Sequence, residues 1–179
     1  MEYNLISKVS SKLSKKQIKK ICELKDTQWK FGIKSQFYWY KKNIRNNDIH
    51  NLFFINSKLI GYTLLRKRTC YMKNMKSIKY LLFDALIVDK RFRGKKLSNL
   101  IMDFNNNIIK QSGFFSFLIC KKKLITFYKK FGWIKLKNKD IVVKGRSFST
   151  TSSKSASTYV MTYNQKYMSE IKYHFYLNK

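Results

Sequence analysis

The chain has 179 residues, of which 44% are apolar and 16% aromatic, which is typical of one folded domain rather than of a disordered segment. Its 39 lysines and arginines against 9 acids give a formal net charge of +30, and no apolar run approaches the roughly 20 residues that a membrane-spanning helix needs. We therefore expect a single domain over residues 1–179 that does not bind a membrane, and the N-terminus, which lacks a signal-peptide pattern, predicts a cytoplasmic location.

The cysteines give no sign of a disulfide framework or a metal site. Cys22, Cys70 and Cys120 are odd in number, widely spaced and unaccompanied by clustered histidines. We expect no metal cofactor.

The positive charge has two explanations. The chain contains 33 lysines, 6 arginines, 14 asparagines and no proline, a usage that an AT-rich genome produces on any protein surface. Nucleic-acid binders use arginine heavily because its planar fork grips phosphate, yet two of the six arginines here, Arg91 and Arg93, lie in one loop. That placement favours a local phosphate site, although a field of this size also attracts RNA.

The N-terminal part of the chain predicts a strand followed by helices. Residues 3–9 suit a strand, and Ser14 and Gln17 have the spacing of a capping box at the start of a helix. The aromatic-rich stretch 29–40 predicts a second helix or a lid, and its rings also suit core packing.

Two strands and a helix follow in the middle of the chain. Residues 51–65 read as two strands around Asn56-Ser57, and residues 69–79 as a basic loop between strands. A strand then ends at Val88. The next apolar residues have helical spacing and predict one buried helix face: Leu97, Leu100, Ile101, Phe104 and Ile108.

The loop between this strand and this helix predicts an anion site. The first-turn N–H groups of a helix lack helical partners and its dipole favours negative charge. Arg91, Arg93, Lys95 and Lys96 add side-chain charge around Gly94. The loop has neither the P-loop pattern nor the three glycines of a dinucleotide fingerprint.

The C-terminal part continues with strands. Ser112-Gly113 predicts the helix end, residues 114–120 a buried strand, and Gly132 the end of a further helix. The hydroxyl-rich stretch 144–158 predicts either a substrate-gating loop or a long hairpin connection. A closing strand is expected at residues 159–163, and residues 165–179 suit an extra strand or a partner contact.

Residues 51–163 carry a resemblance to the Gcn5-related N-acetyltransferases. The segment Arg93-Gly-Lys-Lys-Leu-Ser98 resembles the coenzyme A loop of that family, Arg/Gln-x-x-Gly-x-Gly/Ala, with Lys96 and Ser98 in place of its later small residues. The segment Phe127-Tyr-Lys-Lys-Phe-Gly-Trp133 resembles the family's Tyr-bearing helix. The Arg-Gly-x-basic-Leu loop is most similar to that of the aminoglycoside 2'-N-acetyltransferase branch.

The resemblance implies an α/β (α+β) fold with a mixed, mostly antiparallel central sheet flanked by helices. It also implies that two strands of the sheet splay apart at the cofactor site. The implied reaction is direct transfer of the acetyl group of acetyl-CoA to a primary amine.

The resemblance also suggests site residues. Asp84, an acid in an apolar strand, would have a raised pKa and act as general base, unless it is paired with a cation or accepts backbone N–H groups. Tyr128 would protonate the departing thiolate; Asp48 and His50 are weaker candidates for the base, and Cys120 reads as a buried apolar residue. The expected cofactor-binding residues are Leu86, Ile87, Val88, Arg93, Gly94, Lys95, Lys96, Leu97, Ser98 and Asn99.

Three functions stay open. The first is an N-acetyltransferase acting on a small amine, sugar-like or linked to a nucleotide. The second is a transferase acting on a macromolecule such as aminoacyl-tRNA or a ribosomal protein, and the third is a silent module that binds coenzyme A or nucleic acid. We expect a monomer or a homodimer.

Overall fold

The structure, a computed structural model, describes residues 3–72, 77–136, 141–145, 148–149, 158–164 and 173–176. The chain forms two units, the first made of Met1–Arg66 with Asp84–Ile108 and the second of Lys67–Phe83 with Ile109–Lys179. None of the described helices is long and apolar enough to cross a membrane.

Among the described residues, the first unit contains two whole strands, parts of two more, and three helices. Strand β1 pairs with β2, and β2 pairs with β3 through a tight turn at Asn56 and Ser57, whose φ angles of 44° and 62° suit a hairpin. The strands and helices predicted here are confirmed, with the second helix starting after Gly32. Their bounds are β1 Tyr3–Val9, α1 Lys15–Gln28, α2 Ile33–Asn43, β2 Ile49–Ile55, β3 Lys58–Met72, β4 Ser77–Val88 and α3 Leu97–Ser112.

Helix α1 starts at the capping box that the sequence predicted. Ser14 Oγ accepts from the Gln17 amide at 3.2 Å, and the Gln17 side chain accepts from the Ser14 amide at 3.0 Å. Ile21 and Leu24 of α1 are buried against the strands. The cluster they join also holds Leu52, Leu59, Tyr62, Leu64, Ala85 and Ile87.

Helix α3 buries a different face from the one predicted. Leu97 and Ile101 are buried in a cluster with strand residues, as expected, but Leu100 is 46% exposed. Asn105 is fully buried instead. The prediction counted only apolar residues, whereas the strands under α3 present polar partners.

Those partners form a buried triad of Asn51, Thr63 and Asn105. Asn51 Nδ2 donates to Thr63 Oγ1 at 3.0 Å and to Asn105 Oδ1 at 3.0 Å, and Thr63 Oγ1 donates to Asn105 Oδ1 at 2.8 Å. All three residues are fully buried. Because a buried amide must be hydrogen-bonded, the triad fixes the rotation of α3 over β2 and β3.

The second unit is built mainly of strands. Strand β5 runs parallel to β4 and antiparallel to β9, which also pairs with β6. Strand β10 runs antiparallel to β3 and parallel to β7, and β7 pairs with β8. The elements are β5 Phe115–Lys121, α4 Ile125–Lys129, β6 Ile134–Lys135, β7 Ile141–Gly145, β8 Phe148–Ser149, β9 Thr158–Tyr163 and β10 Tyr173–Tyr176.

Two loop predictions are corrected in this unit. Residues 69–79 are mostly strand, since β3 runs to Met72 and β4 starts at Ser77. The ladder from β3 to β10 holds this polar stretch extended through backbone hydrogen bonds, which composition does not reveal. Part of the stretch 144–158 is also strand, at Phe148–Ser149, while most of it lies outside the described residues.

The fold class is confirmed. Six of the described strand pairings are antiparallel and two are parallel, and helices accompany the strands. Residues 165–179 contribute an extra strand, β10, which is one of the two alternatives predicted for them.

Replacing Asn105 with alanine should lower the free energy of unfolding by about 2–4 kcal/mol, because it removes two buried hydrogen bonds and leaves the Thr63 hydroxyl without its acceptor. Urea unfolding followed by circular dichroism measures the change. Asn107→Ala, at an exposed position of the same helix, is the control and should change stability by less than about 0.5 kcal/mol. Equal effects of both variants would show that the triad does not hold the helix.

Candidate active site

The loop after β4 starts at a buried carboxylate, Asp89. The Asp89 amide donates to the Ile60 carbonyl at 2.7 Å, and Asp89 Oδ1 accepts from the Arg91 amide at 3.1 Å. The Arg91 guanidinium pairs with the carboxylate at 2.6 Å and thereby lowers the pKa of Asp89. The sequence suggested that Arg91 adds free positive charge to the loop. In the structure its charge is instead paired with that of Asp89.

Arg93 makes hydrogen bonds to residues at the ends of two elements, β4 and α1. Its Nε donates to the Val88 carbonyl at 3.1 Å, and its Nη2 donates to Gln28 Oε1 at 2.6 Å. The sequence predicted Arg93 as a phosphate ligand, which stays a prediction, and in the structure its guanidinium joins the end of β4 to the end of α1. Gln28, an exposed glutamine, carried no signal of this contact.

The backbone between Arg93 and α3 turns through two left-handed residues. Gly94 has φ +79° and Lys96 has φ +56°. Glycine adopts this conformation without penalty, whereas the Lys96 side chain makes it sterically costly. The Lys96 carbonyl accepts from the Asn99 amide at 2.9 Å, so the first turn of α3 begins directly after the turn.

Lysines surround this turn. Lys95 and Lys96 are exposed, and Lys95 Nζ lies 6.0 Å from the centre of the Phe92 ring. Lys58 Nζ, from β3, lies 6.0 Å from the same ring. Sequence reasoning missed Lys58 because it precedes the loop by more than thirty residues and is one of many lysines. The helix start, the left-handed turn and these ammonium groups suit an anion.

Asp84 is paired with an arginine. Its Oδ2 lies 2.9 Å from Arg66 Nη1, and Arg66 Nη2 donates to the Asn43 carbonyl at 3.3 Å. The Asp84 side chain is 29% exposed, whereas that of Arg66 is 5% exposed. Pairing with a cation is one of the alternatives that the sequence left open for Asp84, and the cation is a guanidinium from the neighbouring strand.

Lys25 and Trp39 complete the surroundings of this pair and were not singled out in the sequence. Lys25 Nζ lies 3.5 Å from the centre of the Trp39 ring, and Arg66 Cζ lies 5.6 Å from it. Burial lowers the pKa of Lys25 to about 8, and the nearby Asp84 opposes this shift. Nothing in the sequence distinguishes this lysine from the others on α1 except its position on the buried face.

His50 and Asp48 belong to the interior. Both are fully buried, and His50 bonds to Ser10 Oγ at 2.8 Å and to Tyr62 OH at 2.8 Å. Burial lowers the pKa of His50 to about 4, so it is neutral at pH 7. These contacts favour a structural role over the weaker prediction of a base at a strand edge.

Tyr128 lies in the second unit, in an aromatic cluster. Its ring centre is 6.2 Å from that of Phe83 and 6.1 Å from that of Trp133, and the side chain is nearly buried. Burial raises its pKa, with a smaller contribution from Cys120, so the phenol stays protonated. Burial also raises the pKa of the Cys120 thiol, in agreement with the interpretation of an unreactive residue.

The described residues contain no group of three or more histidine, cysteine or acidic side chains placed to hold a metal ion.

Lys96→Gly should raise the free energy of unfolding by about 1 kcal/mol, because it removes the steric cost of a left-handed side chain. Lys95→Gly is the matched control: it removes the same charge one residue earlier, where no left-handed φ is relieved, and should lower stability. Urea unfolding of the two variants decides the matter. A Lys96→Gly protein no more stable than Lys95→Gly would contradict the strained turn.

No family model matches this sequence, and no curated protein matches it. Among solved structures, the chain is similar to ElaA from Escherichia coli, with 16% identity, a TM-score of 0.65, and 90% of this chain and 99% of that chain covered. It is also similar to the PaiA N-acetyltransferase from Thermoplasma acidophilum in complex with coenzyme A, with 15% identity, a TM-score of 0.55, and coverage of 90% and 98%.

A third similar structure is the ribosomal-protein-S18-alanine N-acetyltransferase from Escherichia coli, with 9% identity, a TM-score of 0.58, and coverage of 89% and 92%. At these identities the likeness concerns the fold. The chain has the fold of the Gcn5-related N-acetyltransferases, as the resemblance implied, and the assignment to the aminoglycoside branch stays a prediction.

Proposed function

We propose that this chain is an N-acetyltransferase that moves the acetyl group of acetyl-CoA to a primary amine. The observation that carries the proposal is the basic, left-handed turn at Gly94 and Lys96, which opens a helix within an N-acetyltransferase fold.

The turn is suited to the pyrophosphate of coenzyme A. Nothing lies within 4 Å of the place that a Cβ on Gly94 would occupy, so a ligand can approach the backbone there. The lysines 58, 95 and 96 add positive charge, and Arg93 holds the turn in place. We retain as cofactor-binding residues Leu86, Ile87, Val88, Arg93, Gly94, Lys95, Lys96, Leu97, Ser98 and Asn99.

The backbone at the end of β4 would hold the pantetheine arm. Strand β4 pairs with β5 at Tyr80–Leu82 and continues to Val88. An N–H group between Leu86 and Val88 would donate to the thioester carbonyl and polarise it. This role rests on the family resemblance and on the length of β4 beyond its ladder with β5.

Two side chains would move protons. Asp84, directly or through a water, takes a proton from the ammonium of the acceptor, and the amine nitrogen then attacks the thioester carbon. The new C–N bond forms as the C–S bond breaks, and the departing thiolate takes the proton of the Tyr128 hydroxyl. The amide nitrogen then gives up its second proton, through water, to the Tyr128 phenolate, and Asp84 returns its own proton to solvent. The Tyr128 hydroxyl carries its proton at neutral pH, and burial, which raises its pKa, makes it a weaker acid than an exposed tyrosine.

For the acceptor, we favour a small amine, sugar-like or linked to a nucleotide. A net charge of +30 with only nine acids suits an anionic carrier better than a polycation. The same charge supports a second candidate, a macromolecular acceptor such as aminoacyl-tRNA or a ribosomal protein, and one similar structure is named as an enzyme acting on ribosomal protein S18. RNA binding that survives about 200 mM salt would favour the second candidate.

Gly94→Glu should weaken acetyl-CoA binding by about 100-fold or more, about 3 kcal/mol, because it places a negative charge against the pyrophosphate. Calorimetric titration at physiological salt measures the affinity, with ATP as a control polyanion. Gly113→Glu is the matched variant: Gly113 also has a positive φ and open space, +71° with nothing within 4 Å, but ends α3.

Gly113→Glu should therefore bind acetyl-CoA like the parent protein. If Gly94→Glu binds acetyl-CoA with the affinity of the parent protein, the loop is not the coenzyme A site. Equal binding of ATP and acetyl-CoA, fading with salt, would reduce the loop to a non-specific phosphate site.

Tyr128→Phe should lower kcat by about 10²-fold and leave the affinity for acetyl-CoA within about twofold, because only the proton donor is lost. Release of coenzyme A thiol follows the rate. Tyr163→Phe, in the same unit and stacked on Trp133, is the control for removal of a phenolic hydroxyl from the aromatic cluster. An unchanged rate in Tyr128→Phe would make Tyr128 a packing residue.

A further inference from the structure

A cluster of four side chains lies in the first unit apart from the phosphate loop. Lys25 comes from α1, Trp39 from α2, Arg66 from β3 and Asp84 from β4. Arg66 pairs with Asp84 at 2.9 Å, and both cations lie over the Trp39 ring, Lys25 Nζ at 3.5 Å and Arg66 Cζ at 5.6 Å from its centre. We call these four residues the Lys25 cluster.

The Lys25 cluster contains one more cation than anion. Arg66 is matched by Asp84 and by the Asn43 carbonyl. The Lys25 ammonium rests on the indole face, and the described part of the chain offers it no hydrogen-bond acceptor. A buried ammonium without a hydrogen-bonded anion is costly, and burial lowers the pKa of Lys25 to about 8 although Asp84 is near.

Asp84 keeps one oxygen for a ligand. Its Oδ2 is taken by Arg66, whereas Oδ1 accepts no hydrogen bond from the described residues, and the side chain is 29% exposed. The carboxylate can therefore receive an ammonium on the side that Arg66 does not occupy. The Lys25 cluster therefore offers one ligand two binding groups: Lys25 for an anionic group and Asp84 for an ammonium.

We propose, building on the transferase function above, that the acceptor carries an anionic group close to its amine, and that Lys25 binds this group while Asp84 Oδ1 receives the amine. The anionic group is a carboxylate or a phosphate, both of which accept from an ammonium. Trp39 forms the apolar floor beneath it. Lys25 is thus a specificity-determining residue for the acceptor, and the proton transfers remain with Asp84 and Tyr128.

The alternative role of the cluster is purely structural. In that case Lys25 would only brace α1 against Trp39, and its charge would be irrelevant to the acceptor. Replacing such a buried lysine with an apolar side chain of similar length is then neutral or stabilising and leaves the choice of acceptor unchanged.

The test compares amines that differ only in the anion. The pairs are an L-amino acid with its amide, for the carboxylate, and glucosamine 6-phosphate with glucosamine, for the phosphate. Thiol release at pH 7 gives kcat/KM for each member with the parent protein, Lys25→Met, Lys25→Arg and Lys16→Met. Lys16 is an exposed lysine on the same helix and serves as the control.

We expect the parent protein and Lys16→Met to prefer the anionic member of at least one pair by tenfold or more. Lys25→Met should lose this preference through a higher KM, and Lys25→Arg should keep part of it. The pair that shows the preference identifies the anion as carboxylate or phosphate. An unchanged preference in Lys25→Met, or no preference for anions in the parent protein, overturns the proposal.

A second readout does not depend on turnover. In protein labelled with ¹³C at lysine Cε, the Lys25 signal is assigned by its absence in Lys25→Met, and its titration is followed with and without the anionic amine. Binding of the anion should raise the pKa of Lys25 by at least one unit. If no amine is acetylated but this shift occurs, the transferase function fails and the Lys25 site stands. If amines are acetylated without the shift, the Lys25 site alone fails.

Discussion

The chain reversal between β4 and α3 depends on one buried carboxylate, Asp89. Its amide is fixed by the Ile60 carbonyl, and its oxygens fix the Arg91 backbone and guanidinium. The lowered pKa of Asp89 means that these contacts persist well below neutral pH. The reversal also sets where the next eight residues lie. They include Arg93, the left-handed turn and the start of α3.

Arginine and lysine have different tasks in this basic chain. The guanidinium groups of Arg66, Arg91 and Arg93 bond to groups of the protein itself: two carboxylates, two backbone carbonyls and one amide oxygen. Several donors in a rigid plane suit them to hold a frame. The lysines at the loop remain exposed. Net charge alone therefore says little about this site, whereas the kind of cation at each position says more.

Much of the fold could be predicted from patterns that local chemistry produces. The capping box at Ser14, the turn at Asn56-Ser57 and the strand that ends at Val88 each depend on residues near one another in sequence. The left-handed turn at Gly94 was also foreseeable in part, because its glycine and the following helix pattern are adjacent.

Contacts between distant elements could not be predicted in this way. The pairing of Asp84 with Arg66, the seat of Lys25 on Trp39 and the bond from Arg93 to Gln28 depend on which residues the strands and helices bring together. The same holds for the extended stretch near Met72, whose partner β10 is about a hundred residues away. A polar residue in such a place, Asn105 above all, looks like a surface residue in the sequence.

The buried triad has a consequence for how the site could change over evolution. The hydrogen bonds that Asn105 Oδ1 accepts form in one rotation of α3 only, since a shift by one residue turns the helix by roughly 100°. Asn105 lies about two helical turns from the first residue of α3, so it also sets the direction in which the first-turn amides point. Substitution of Asn51, Thr63 or Asn105 would thus change the direction of the first turn of α3 without any change in the loop itself.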